Sequence, residues 1–441
     1  MNHLAVLKAS FLACMLTAVI PAHSNELSLE HTLDYALNNE PWLVANKYQQ
    51  AAIHAQSVAA GTLPDPVLTV GLMNFPTDGF AFDQEGMTQF KVGVSQMFSR
   101  GDSLELKQKA MAQAAQQYPW LRSERVAQVK AIVIEAWLNA YRAQQSIALI
   151  EQDKSLFTQL IDITESSYSS AMGSTRQQDI ILAQLEFTRL EDKLVMLEMQ
   201  VESAKKRLSQ WLPMSMLTQS VSSTRRDITP LVHFSQLSFE QLMALLMAHP
   251  AIVAIDKVAA AKHTEIAVAK QSYKPQLGVN MGYGYRGATP AGDSRADLLS
   301  IGMSIDLPFF TDNRQDQHVN AAIAMAESVK TEKLIAVNKL KGMYFKEYSQ
   351  LVRLQQRDAL YQTKLLPQMA EQAQATLNAY TRDDGDFFEV MRARISELNA
   401  KIDALNIQID QQIIIARLNY YVSSKDAVVM AELTAGEHHA H

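Results

Sequence analysis

The residues best equipped for chemistry stand at the end of the chain, in Glu437-His438-His439-Ala440-His441. Neutral imidazoles bind soft and borderline metal ions, so His438, His439 and His441 are the metal-ligating set on offer. A solvated chain end explains the same residues more simply and is the preferred reading. Elsewhere the sequence holds no Gly-x-Ser-x-Gly, His-Glu-x-x-His, Walker loop or Cys-x-x-Cys. No catalytic constellation and no cofactor are expected. The 20 Met residues read as core and wall filler rather than a metal relay. His54 and His263 read as packing positions.

Composition narrows the class. Of 441 residues, 48% are apolar, too many for a disordered chain. The net charge of −6 argues against nucleic-acid binding, which needs a basic footprint. Gly (16) and Pro (13) are sparse, as in a helix-rich protein. Lys8 precedes an apolar run from Ala9 to Ile20, and Ala22 and Ser24 fit a signal-peptidase site before Asn25. Residues 1–24 are read as a secretion signal, too short to remain as a membrane anchor. The only cysteine, Cys14, lies inside it; lipid attachment at Phe11-Leu12-Ala13-Cys14 is the less favoured alternative. No later run reaches the ~18 apolar residues of a transmembrane helix.

The scaffold that must position any function is written twice. Pro41 aligns with Pro250, His54 with His263, Pro66 with Pro275, Leu68 with Leu277, Gly93 with Gly302 and Ser95 with Ser304, each pair 209 positions apart. This is a tandem duplication. The units are placed at 25–212 and 238–422, with a linker at 213–237 and a tail at 423–441. Each unit begins with an Ala-rich helix, about 28–60 and 238–270. Two strands follow, at 67–75 and 90–98, then at 277–285 and 298–307. A very long helix comes next, reaching about Ser169 and Tyr380, with Pro119 and Pro367 expected to kink or interrupt it. A polar turn and a return helix complete the unit. The return helices carry heptad seams, Leu190, Leu194, Leu197, Val201, Ala204, Leu208 and Ile395, Leu398, Ile402, Leu405, Ile409, which suit a coiled coil or a buried face in a bundle.

The strands pose a question. In Leu277–Arg286, Leu277, Val279, Met281, Tyr283 and Tyr285 alternate with Gly278, Asn280, Gly282 and Gly284. One face is apolar and the other nearly bare. Nine or ten residues is the length of a tilted membrane-spanning strand, and the pattern fits lipid on one side and water on the other. Four strands cannot close a barrel, and an open edge cannot sit in lipid. Three chains would give twelve strands. At ~1.5 Å per residue the long helices reach ~100 Å and the two shorter helices of a unit together match that length, as a tube of antiparallel hairpins requires. The expected fold is mainly α with a small β part, the strands completing a trimeric barrel and the helices a tube.

Layout and motifs together resemble the TolC-type outer-membrane efflux channels over nearly all of the mature chain. The carriers are Ala36-Leu37-Asn38-Asn39-Glu40-Pro41, its repeat Leu245-Leu246-Met247-Ala248-His249-Pro250, and a hairpin-tip motif. The family motif is Tyr-x-x-Gly followed by Asp-Val-Leu-x-Ala. Unit one has Ser170-x-x-Gly173 and Asp179-Ile180-Ile181-Leu182-Ala183. Unit two has Tyr380-x-x-Asp383 and Glu389-Val390-Met391-Arg392-Ala393. Ser170, Asp383 and Glu389 depart from the motif, Glu389 conservatively. The stretch from Gly71 to Phe98 looks like the heavy-metal (CusC/CzcC-like) branch.

The resemblance implies an outer-membrane homotrimer, not an enzyme, that works with a periplasmic adaptor and an inner-membrane RND pump. It also implies a periplasmic aperture at Glu389 and Asp179. Its second acidic position falls on Arg392, so Glu389–Arg392 pairs within or between chains are expected there. Solvated tip charges without a gating role are the alternative. Gly173, Ser174, Thr175, Arg382, Asp383, Asp384 and Gly385 are the docking candidates. The same layout would also serve drug or detergent efflux or type I protein secretion. Two rivals fit less well. A trimeric adhesin stalk would keep its strands at the C-terminus, and a periplasmic enzyme or binding protein would have shorter helices around a pocket.

Overall fold

A computed structural model describes residues 26–169, 177–382 and 385–424. Unit one opens with β1 (Glu26–Leu27), α1 (Leu29–Asn38) and α2 (Pro41–Ala60). Then come β2 (Val67–Met73), β3 (Gln89–Phe98), α3 (Ser103–Ala115), α4 (Gln117–Ser169) and α5 (Gln177–Arg207). The linker holds α6 (Met214–Leu217) and β4 (Ser220–Val221). Unit two repeats the order with α7 (Phe239–Met247), α8 (Pro250–Lys270), β5 (Gln276–Tyr285), β6 (Leu298–Asp306), α9 (Gln315–Leu360), α10 (Leu366–Tyr380) and α11 (Phe387–Tyr421).

The first helix of each unit, read from sequence as continuous, is two helices. The breaks fall where Pro41 and Pro250 start a new first turn, the one place in a helix where a missing N–H costs nothing. α7 and α8 meet at 58°. The residue before each proline caps the new helix. The Glu40 carboxylate accepts from Trp42 N at 3.2 Å, and His249 Nδ1 from Ala251 N at 3.2 Å.

The long helices break where proline was expected to break them. α3 gives way to α4 at Gln116, three residues before Pro119. A single π-turn, Tyr361–Leu365, precedes Pro367. The repeat offset is 209 at Gly93 and Gly302 but 210 at Asp179 and Glu389. One extra residue in unit two is what a π-turn accommodates without ending the helix.

α9, α11, α4 and α5 pack side by side in that order as one layer. The heptad positions Leu190, Leu194, Leu197, Ala204 and Leu208 of the return segment, and Leu398, Ile402 and Ile409 of α11, are buried within it. The linker lies on one face of this layer and is held mainly by side chains, with a short two-stranded pairing of β4 to β1. Gln144 receives Val221 N at 2.9 Å and donates to Val221 O at 2.6 Å. Gln412 accepts from Ile228 N at 2.6 Å, and Asn419 from Leu231 N at 2.8 Å. Trp137 Nε1 donates to Leu27 O at 2.8 Å, where β1 runs parallel to β4.

The four long strands form one antiparallel sheet in the order β2-β3-β5-β6. β3 pairs with β5 from Phe90–Tyr285 to Phe98–Leu277, so the two units share one sheet. At its base Arg100 pairs with Asp306 and donates to Lys274 O at 2.7 Å, and Lys274 pairs with Asp102 at 2.9 Å. These contacts pin the sheet to the helices.

The two caps differ in charge. Glu40 is buried, paired with Arg125 at 3.2 Å and bonded by Trp211 Nε1. His249 is fully buried, its Nε2–H donating to Tyr420 O at 3.1 Å, and burial holds its pKa down at about 4. The unfolded chain takes up this proton near pH ~6.5. The His249 contribution to stability is therefore complete above ~6.5 and is lost as pH falls towards 4, by up to about 3 kcal/mol. His249→Asn keeps a capping acceptor without the titration. Its melting temperature is expected to fall less between pH 6.5 and 4.5 than that of the native chain. Parallel acid limbs for the two proteins would remove His249 from the acid response.

Candidate functional site: a two-faced sheet and the hairpin tips

Register decides what each face of the sheet carries. Leu68, Val94, Met281 and Ile301 stand side by side across the four strands. Leu68 and Ile301 are 65% and 72% exposed, and Val70, Tyr283 and Leu299 in the next row are exposed as well. On a folded surface, contiguous large apolar side chains mark a face that meets something other than water.

The reverse face carries Thr69, Gly93, Gly282 and Ser300 in one row. Its glycines leave room for side chains that lie flat across them. A Cβ on Gly282 would sit 2.8 Å from Lys91 Cε, one on Gly302 2.5 Å from Asn280 Oδ1, and one on Gly278 2.6 Å from Met97 Sδ. The bare positions thus make a thin, polar wall around a hollow of about 290 Å³, lined by Thr69, Lys91, Ser95, Asn280 and Ser300 among others. At the far end the two strand loops are tied together: Arg286 donates to Gly86 O at 3.3 Å and Arg295 to Glu85 O at 3.2 Å.

The hairpin tips lie at the other end of the helices. In unit two Asp386 caps α11, accepting from Phe388 N at 2.9 Å. Gly385 packs against the end of α10, where an added Cβ would meet Tyr380 N at 2.7 Å. Arg382 N donates to Ala379 O at 3.1 Å. Glu389 lies in the first turn of α11. Arg392 turns away from it, its guanidinium 4.7 Å from the centre of the Phe388 ring. Among the described residues Glu389 and Arg392 form no ion pair within the chain. Asp179 lies in the first turn of α5, but its side chain is outside the described residues, as are Gly173, Ser174, Thr175, Asp383, Asp384, Cys14, His438, His439 and His441. Among the described residues no three His, Cys, Asp or Glu side chains gather where they could hold a metal, and no single helix is long and apolar enough to cross a membrane.

A face of arginines in the middle of the helices was not singled out from the sequence. Arg142, Arg353, Arg357 and Arg417 line a groove of about 610 Å³ between α4, α9 and α11. The available signal was Arg353 and Arg357, like charges four apart on one helix.

The backbone brings these parts together in a known way. Solved structures of low sequence identity share it over 90% of this chain. CusC, from crystal structures that follow its folding and transmembrane channel formation, is 14% identical, is covered over 92% of its length and gives a TM-score of 0.74. The CmeC outer membrane channel of Campylobacter jejuni is 14% identical, covered over 85%, with a TM-score of 0.72. The outer membrane protein VceC of Vibrio cholerae is 14% identical, covered over 96%, with a TM-score of 0.72. The chain has the TolC-type channel fold. Neither a protein-family model nor a curated protein matches the sequence. At these identities the TolC-type likeness fixes the backbone and leaves the cargo open.

The two faces of the sheet can be told apart by substitution. In lipid vesicles Met281→Arg is expected to destabilise the folded chain by about 2–4 kcal/mol, the cost of a cation facing the bilayer midplane. Asn280→Arg, one residue away on the reverse face, is expected to cost less than about 1 kcal/mol. Urea unfolding in vesicles measures both, and equal costs would mean that both faces meet the same medium.

Proposed function

We propose that three copies of this chain close one twelve-strand β-barrel in the outer membrane of a Gram-negative cell, continued by a helical tube into the periplasm. The assembly is the passive exit channel of a tripartite efflux system. The observation that carries this reading is the sheet: an apolar face, a thin polar face, and strands β2 and β6 each with one edge unpaired in the chain. An open edge is untenable in lipid, and neighbouring copies supply the missing partners.

No catalytic group is needed. An energised inner-membrane pump and its periplasmic adaptor supply the driving force and dock at the tips. Gly173, Ser174, Thr175, Arg382, Asp383, Asp384 and Gly385 are the docking residues proposed. Glu389 and Asp179 form acidic rings at the aperture, and such rings favour cations. Within the chain Arg392 is engaged with Phe388, so any pairing of Glu389 with Arg392 would run between copies.

Heavy-metal cations are the narrower cargo assignment. It rests on the resemblance of the Gly71–Phe98 stretch and on the acidic tip; His438, His439 and His441 are at most a secondary metal-binding set.

Purified protein in a planar bilayer is expected to give discrete single-channel currents, and Glu389→Ala is expected to raise them by opening the aperture. Currents unchanged by Glu389→Ala would sink its gating role. A deletion strain is expected to become sensitive to one or two of copper, silver, cobalt, zinc and cadmium, with tolerance of dyes and detergents unchanged. The reverse pattern would assign the cargo to drugs and detergents and leave the channel standing.

A further inference from the structure

The helical layer has two unlike faces. On α4 the linker is bound by Gln144, and on α11 by Gln412 and Asn419. On α9 Tyr344 packs on the linker's Phe234, ring centres 6.4 Å apart. Helical spacing places these residues opposite Arg142 on α4, Arg417 on α11 and Arg353 and Arg357 on α9. The linker therefore covers one face and the arginine groove opens on the other. In the tube proposed above, a layer wrapped by its linker on the outside presents the arginine face to the lumen.

Charge in the groove is not balanced. Arg142 pairs with Asp410 at 2.8 Å. Arg417 pairs with Glu135 at 2.9 Å and approaches Glu347 at 3.5 Å. These carboxylates are committed. Arg353 donates only to Gln356 at 2.8 Å, and Arg357 lies 6.0 Å from the centre of the Tyr361 ring. Neither pairs with a carboxylate among the described residues. Two forks four residues apart on one helix, aimed into a groove of about 610 Å³, repel each other until an anion bridges them. Guanidinium forks match the paired oxygens of phosphate and carboxylate.

We propose that this groove is a binding site for small multivalent oxyanions, bridged by Arg353 and Arg357, and that three such grooves form a cationic belt halfway along the lumen. The lumen placement rests on the trimeric channel; the binding site does not. The belt would favour anions where the acidic aperture favours cations, so the two places along the path differ in the charge they select.

Calorimetry on the purified full chain in detergent at low salt tests the site with pyrophosphate and citrate. The native protein is expected to bind at least one. Arg353→Gln with Arg357→Gln is expected to weaken binding about tenfold or more, the loss of two charge-assisted forks, and Arg189→Gln, an exposed arginine on α5 away from the groove, should leave it unchanged. Tighter pyrophosphate marks a phosphate site and tighter citrate a carboxylate site, either of which supports the proposal. No binding of either anion, or equal affinity in the double variant, overturns it. In the bilayer the bound anion should lower the native current and spare the double variant. Calorimetric binding with an unaffected current would put the groove outside the lumen. Absence of any current would defeat the channel reading while the calorimetry still reports on the site.

Discussion

A strand edge with unsatisfied backbone groups is the constraint on which this architecture turns. β2 and β6 each have a neighbour on one side only. In water such edges cost little because solvent bonds to them. Beside the apolar row of Leu68, Val94, Met281 and Ile301, in a face suited to lipid, no solvent is at hand and each lost bond costs several kcal/mol. In the proposed channel, neighbouring copies supply the missing partners. Such closure would also draw their helices together, because α3 and α9 follow directly from β3 and β6. The pairing of β3 with β5 makes the four strands of one chain a single panel.

The helical layer answers a different demand, to be stiff over its length and thin across it. It reaches this with small and branched side chains inside and with a linker clamped outside. The clamps are single Gln and Asn side chains that mimic a strand partner, as Gln144 does by giving and taking one bond each with Val221. Apart from the two-residue pairing of β4 with β1, a segment held in this way has little strand or helical period of its own. Its path is set by residues on α4 and α11, up to about 190 positions away.

This is why the parts of the chain differed in legibility. The sheet faces were readable because two faces in unlike surroundings leave period two in the sequence, and Leu277 to Tyr285 keep it without a fault. The long helices and their interruptions near Pro119 and Pro367 were readable because proline acts locally. The splitting of the first helices at Glu40 and His249 was obscured by an apolar pattern that runs through both halves. The β3–β5 pairing was not readable, since either hairpin alone satisfies the same pattern. At the tips, the resemblance to the family motif paired Glu389 with Arg392 within or between chains; within the chain Arg392 instead lies over the Phe388 ring, at i−4 on the same helix. The arginine groove was hidden because its members come from three helices.

The two proline caps show what duplication within one gene permits. Glu40 and His249 hold the same position in the repeat, yet one is an anion matched by Arg125 and the indole of Trp211. The other is a neutral ring set edge-on to Tyr420, ring centres 5.2 Å apart. Each cap has been fitted to its own neighbours, and transplanting one into the other unit would leave a buried charge without a counter-ion or a cation without its anion. The halves have become non-interchangeable. Identical short subunits could never diverge in this way, since every change would strike every copy at once. Fusing the two halves into one chain lets each be tuned to its own neighbours separately.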